Sequence, residues 1–146
     1  MIFVNIVVLG CLGVIAWVDQ RTMEIPDVLN CIIAACGVVV IVLGGEGELK
    51  GHLIGMAVCS VPLLLIALLI EGAFGLGDVK LMGAAGLFLG LRAGTTALLF
   101  GLVAGGLQAG VLLLTKRKGL RDSFPFGPAL CSGVVVAIII KDSLLL

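Results

Sequence analysis

Two acidic residues, Asp19 and Asp78, stand where a charge is expensive. Asp19 directly follows the apolar run Ile2–Val18, and Asp78 lies within Gly75-Leu76-Gly77-Asp78-Val79-Lys80, at the edge of another apolar run. An ionisable residue in or beside a membrane-length apolar segment is by default a functional-site candidate. Two carboxyls brought within a few ångströms cannot both ionise cheaply, so such a pair holds one proton and titrates as a unit. The ionised member can take a proton from water while the protonated member polarises a carbonyl. This is acid–base chemistry for adding water to an amide, and it requires neither metal nor cofactor.

The neighbours of these acids have chemistry to offer as well. Gly75 and Gly77 permit backbone geometry closed to other residues and let an extended chain approach closely. Lys80 either biases the protonation of the pair or snorkels to the membrane interface. Glu24 and Asp27 read as members of a solvated loop, with the alternative that they face a basic substrate segment. The lone histidine, His52, reads as a loop residue without a role.

Which elements position these groups follows from composition. Of 146 residues, 61% are hydrophobic and 12% charged, against about 45–50% and 25% in soluble domains. So few polar residues cannot cover a soluble exterior, and lipid must solvate much of the chain. The formal net charge is zero, which excludes the basic face of a nucleic-acid binder. The five cysteines form no C-x-x-C pair and read as small buried hydrophobes, without a disulfide framework or zinc site.

Six apolar segments can be marked: Ile2–Val18, Val28–Leu43, Leu53–Ile70, Val79–Leu91, Ala93–Leu114 and Ala129–Ile140. A crossing helix takes about 17–25 residues, so the fourth segment is short, and Arg92 divides it from the fifth. The first segment has neither a basic leader nor a small-residue cleavage pattern, and reads as a retained span. The expectation is an all-α polytopic bundle of about six transmembrane helices in a single domain, residues 1–146. With six spans, Arg21, Lys80, Lys116, Arg117, Lys118 and Arg121 fall on one side, and Lys50, Arg92 and Lys141 on the other. The richer side is cytoplasmic by the positive-inside rule. Asp19 and Asp78, two crossings apart, share that side.

Glycine contributes 22 residues, about twice its average usage of ~7%. Gly51/Gly55, Gly86/Gly90, Gly101/Gly105 and Gly106/Gly110 carry the spacing that favours close helix contacts. Trp17 takes an interfacial aromatic position. Pro125 and Pro128 bracket Phe126-Gly127 as an entry turn to the last span. Glu71 reads as an interface residue, and Lys116, Arg117, Lys118 and Arg121 as topology determinants beside anionic lipid.

Three stretches together resemble the type IV prepilin peptidases. Asp19-Gln-Arg-Thr-Met-Glu-Ile25-Pro26-Asp27 is similar to that family's first motif. Gly75-Leu-Gly-Asp78-Val-Lys80-Leu-Met-Gly83 is similar to the second, a glycine–x–glycine–aspartate signature with a trailing lysine. Phe124-Pro125-Phe126-Gly127-Pro128-Ala129 resembles a stretch near the end of the same domain. The resemblance implies an aspartic endopeptidase of the inner (plasma) membrane with Asp19 and Asp78 as its catalytic pair. Pro26, Gly75, Gly77, Lys80, Phe126 and Gly127 are then candidates for substrate contact or support.

Its partners would be type IV pilin-like or Flp-type precursors, cut on the cytoplasmic side of their apolar segment to release a short basic leader. Many bacterial members add an amino-terminal region with cysteine pairs, associated with N-methylation. This chain has no such pairs, so methylation is not expected. Two other classes remain: a presenilin-like protease cutting within a substrate's span, and a non-enzymatic proton-coupled carrier or assembly subunit.

Overall fold

Five helices follow one another along the chain: α1 (Ile2–Thr22), α2 (Asp27–Gly44), α3 (Glu48–Leu69), α4 (Leu76–Leu114) and α5 (Gly127–Leu144). The computed structural model describes residues 2–44, 48–70, 74–114 and 125–144. Glu71, Lys116, Arg117, Lys118, Arg121 and Phe124 lie outside the described residues. Four helices, Ile2–Thr22, Asp27–Gly44, Glu48–Leu69 and the Leu76–Leu112 part of α4, are long and apolar enough to cross a membrane. The expected all-α fold is what is found, with no strand among the described residues.

The expected fourth and fifth segments are joined within α4, which is broken at Gly90. There φ is +79° and ψ −179°, a conformation open to glycine and strained for any residue with a Cβ. The chain doubles back at this point. A Cβ built on Gly94 would lie 3.4 Å from Gly86 Cα, although eight residues of straight helix span about 12 Å. The break comes two residues before Arg92, which is exposed on the bend.

The first arm, residues 76–89, is about 21 Å long, too short to cross hydrocarbon about 30 Å thick. Its surroundings explain why so short an arm is tolerated. Leu81, Met82, Ala84, Ala85, Phe88 and Leu89 are all buried, so protein rather than lipid sheathes it. Gly55 and Gly86 bring α3 and this arm into backbone contact, a Cβ on Gly86 falling 2.5 Å from the Gly55 carbonyl oxygen. Gly37 of α2 meets the backbone of Leu87 and Phe88. The second arm packs on α5, where Gly101 meets Leu130 and Gly133 meets Ala97. Gly51, Gly106 and Gly110 face open space, so the spacing pattern marks some contacts and not others.

Exposed large apolar residues such as Phe3, Val28, Leu65 and Leu99 occur around the bundle, as a lipid-solvated exterior requires. Polar contacts mark its two ends. At one, Asn5 donates to Asp142 over 2.9 Å, and Lys141 donates to the Leu89 carbonyl over 3.3 Å. His52 belongs there too, and it corrects the expectation: it lies within α3, only 2% exposed. Its Nδ1 is 2.6 Å from the Leu87 carbonyl oxygen and its Nε2 3.1 Å from Glu48. The ring lies about 3.5 Å from where a Cβ on Gly90 would sit, bracing the bend. The opposite end carries Asp19, Asp27, Asp78 and Phe126.

Candidate functional site

Asp19 stands in the last turn of α1, 5% exposed. The helix stops just beyond it. Met23 takes φ +55° and its N–H bonds the Asp19 carbonyl over 2.9 Å, a left-handed closing turn. Pro26 then precedes Asp27, whose acidic side chain suits the start of α2. The segment between α1 and α2 is thus a tight reversal that keeps Asp19 beside the start of α2.

Asp78 stands in the first turn of α4, 7% exposed. Gly75 opens that helix, its carbonyl accepting from the Asp78 and Val79 N–H groups. In return the Gly75 N–H donates to Asp78 Oδ2 over 3.1 Å. This is the back-reaching half of a capping box, with the acid at the third helical position. Gly77 serves a different purpose: a Cβ there would come within 3.1 Å of Ile25 Cβ. The glycine–x–glycine–aspartate stretch and the isoleucine–proline stretch therefore pack directly on each other.

Asp19 is held in the same fashion by a distant partner. The Gly127 N–H, in the first turn of α5, donates to Asp19 Oδ2 over 3.0 Å. A Cβ on Gly127 would fall 2.7 Å from that oxygen, so glycine is what lets the amide come so close. Each carboxyl thus has one oxygen fixed by a glycine amide, and Oδ1 of each meets no donor among the described residues. The two carboxyls lie within electrostatic reach of each other, and Cys131 of α5 lies within reach of both.

Both acids open onto a cavity of about 660 Å³ at this end of the bundle. Pro26, Gly75, Gly77 and Lys80 line it with them, and so do Glu24 and Asp27. Lys80 Nζ lies 2.9 and 2.8 Å from the two oxygens of Asp27, so its direct partner is that loop acid and not the buried pair. Both side chains are more than half exposed, and such a pair contributes at most about 1 kcal/mol. Four acids to one base leave the mouth electronegative.

Phe126 and Gly127 stand behind the cavity instead of lining it. Phe126 meets Phe74 edge-on, with ring centroids 4.8 Å apart at 83°, and its carbonyl caps the start of α5 by accepting from Ala129 and Leu130. Trp17 is exposed, with the Arg21 guanidinium 4.4 Å above its ring. Sequence reasoning named Ile25 only as part of the first motif and did not anticipate Phe74 or Cys131 as neighbours of the site. Among the described residues no group of three His, Cys, Asp or Glu is placed to hold a metal ion.

The sequence profile of the type IV leader peptidase family matches residues 6–110. A prepilin leader peptidase/N-methyltransferase of Bacillus subtilis is 27% identical over 144 residues, covering 99% of this chain and 58% of its own length. A protein of the same description from Burkholderia pseudomallei strain 1026b is 31% identical over 122 residues, covering 80% of this chain and 39% of its own length. The chain therefore spans between two fifths and three fifths of these relatives. No solved structure matches it.

Proposed function

The chain belongs to the type IV leader peptidase family, and from that premise we propose that it is a multi-pass membrane aspartic endopeptidase that removes the leader of type IV pilin-like or Flp-type precursors. Asp19 and Asp78 hold one proton between them. The ionised carboxylate accepts a proton from water as its oxygen adds to the scissile carbonyl. The protonated partner donates to the carbonyl oxygen. Collapse of the tetrahedral intermediate breaks the C–N bond, and the amine leaves with a proton returned from the pair.

The observation that carries this reading is the matched holding of the two acids. Both are buried at one end of the bundle, each is fixed through Oδ2 by a glycine amide, and both face one cavity. The electronegative mouth suits a basic leader. The basic residues of the sequence favour the cytoplasm for this end and the plasma membrane for the protein. The relatives' names include N-methyltransferase; the proposal for this chain is the peptidase step.

The test is co-expression of Asp19→Asn and Asp78→Asn variants, singly, with a pilin-like precursor, reading leader loss as a gel-mobility shift. Each variant is expected to insert and to leave the precursor unprocessed. Wild-type processing by both would show the assignment to be wrong.

A further inference from the structure

One buried polar group has no part in the chemistry above. Asn30 of α2 is 5% exposed, and among the described residues neither its Nδ2 nor its Oδ1 has a hydrogen-bond partner. An orphaned amide in an apolar interior is a standing energetic penalty, and in native proteins it calls for an explanation. Asn30 lines a second cavity of about 480 Å³, a predominantly apolar groove between α2, α3 and the first arm of α4. Ala34, Ser60 and Gly83 form its walls, all small enough for a main chain to come close. The groove adjoins the acid-lined cavity, the Asp27–Lys80 ion pair bordering both.

An amide side chain both donates and accepts, as a peptide group does. A substrate helix satisfies its own backbone, so its scissile bond is reached only when the adjacent turn unwinds. In lipid every N–H and C=O freed by that unwinding must find a protein partner. We propose that this groove receives the first apolar residues beyond the scissile bond in extended form, and that the Asn30 amide pairs with their backbone. Asn30 is then a substrate-positioning residue that acts by main-chain recognition, tolerant of apolar side-chain identity. The inference rests on the peptidase reading above.

The test uses the full chain in membranes and a pilin-like precursor carrying its apolar segment, beside a peptide ending two residues after the scissile bond. Loss of both amide bonds in Asn30→Leu is expected to lower kcat/KM for the precursor roughly tenfold, carried mainly by KM. The short peptide is expected to be cut at the wild-type rate, and Asn30→Gln to recover much of the loss, which a merely structural role would not produce.

Independently of folding in that variant, Cys31 is exposed and lines the same groove. Precursors with a single cysteine at the second to sixth position after the scissile bond are expected to form an oxidant-induced disulfide with it in the uncleaving Asp78→Asn protein, and not when Cys31→Ser is added. A wild-type KM for Asn30→Leu on the full precursor, or the absence of any Cys31 adduct, overturns the inference while leaving the peptidase reading intact. If the unaltered protein cuts neither substrate, both readings fall together.

Discussion

At the scale of single residues, the acids stood out by residue type, while the glycines that hold them, Gly75 and Gly127, were marked only through the family resemblance and without that role. Asp19 and Asp78 stood out because a carboxyl beside a long apolar run is costly. Gly127 was a candidate for substrate contact or support only through the third motif, and its bond to Asp19 was not foreseen. It contributes a backbone N–H across 108 residues of chain, and a main-chain donor leaves no trace in side-chain type. Gly127→Ala is expected to insert normally and to lose at least tenfold in kcat, since the added methyl displaces Asp19 Oδ2 and misplacing a reacting group by about 1 Å can cost about a hundredfold. Processing kinetics against membrane abundance measures it. Lys80→Met, by contrast, breaks only an exposed ion pair and should shift unfolding in detergent by no more than about 1 kcal/mol.

At the scale of helices, apolar length located the elements, while their ends required packing. The stretch Glu48-Leu-Lys-Gly-His52 resembled a loop, yet it forms the opening turns of α3, where unbonded N–H groups and the helix dipole favour the acid Glu48. His52 was misplaced for that reason. The fourth segment was too short for a span on length alone, and its neighbours explain it, since they supply the apolar surroundings that lipid otherwise would.

Glycine spacing gave candidate contacts, but only a structure separates glycines against backbone from those facing open space. Gly90→Ala should cost about 1–3 kcal/mol, because φ +79° with ψ −179° is backbone open essentially to glycine alone, and Gly86→Leu considerably more by forcing α3 away. Gly51→Ala and Gly106→Ala meet no atom within 4 Å and should be neutral or stabilising by up to about 1 kcal/mol. Thermal unfolding in one detergent ranks all four.

At the scale of the whole molecule, charge distribution and helix ends give the proposed orientation a direct test. Thr22 and Leu76 belong to the end that holds the acids, Glu48 and Ser143 to the other. In a cysteine-free background, Thr22→Cys and Leu76→Cys should react with a membrane-impermeant thiol reagent only from the cytoplasmic side, and Glu48→Cys and Ser143→Cys only from outside. Labelling of Thr22→Cys and Leu76→Cys from opposite faces would dissolve the proposed pair. Hydropathy supplied the apolar helices in outline, and the proposed orientation rests on the basic residues. The reversal at Gly90 and the second groove came from packing, which one chain of residue types does not encode legibly.

The tether between Asp19 and the start of the final helix also carries a consequence in time. Ribosomes add about 5–20 residues per second, so the 108 positions separating donor from acceptor delay the clamp by roughly 5–20 s after the first acid emerges. Throughout that interval Asp19 is without the amide that fixes its Oδ2. With the anchor built into α5, the peptidase chemistry proposed above would wait on that helix, a delay set by chain order that needs no inhibitor.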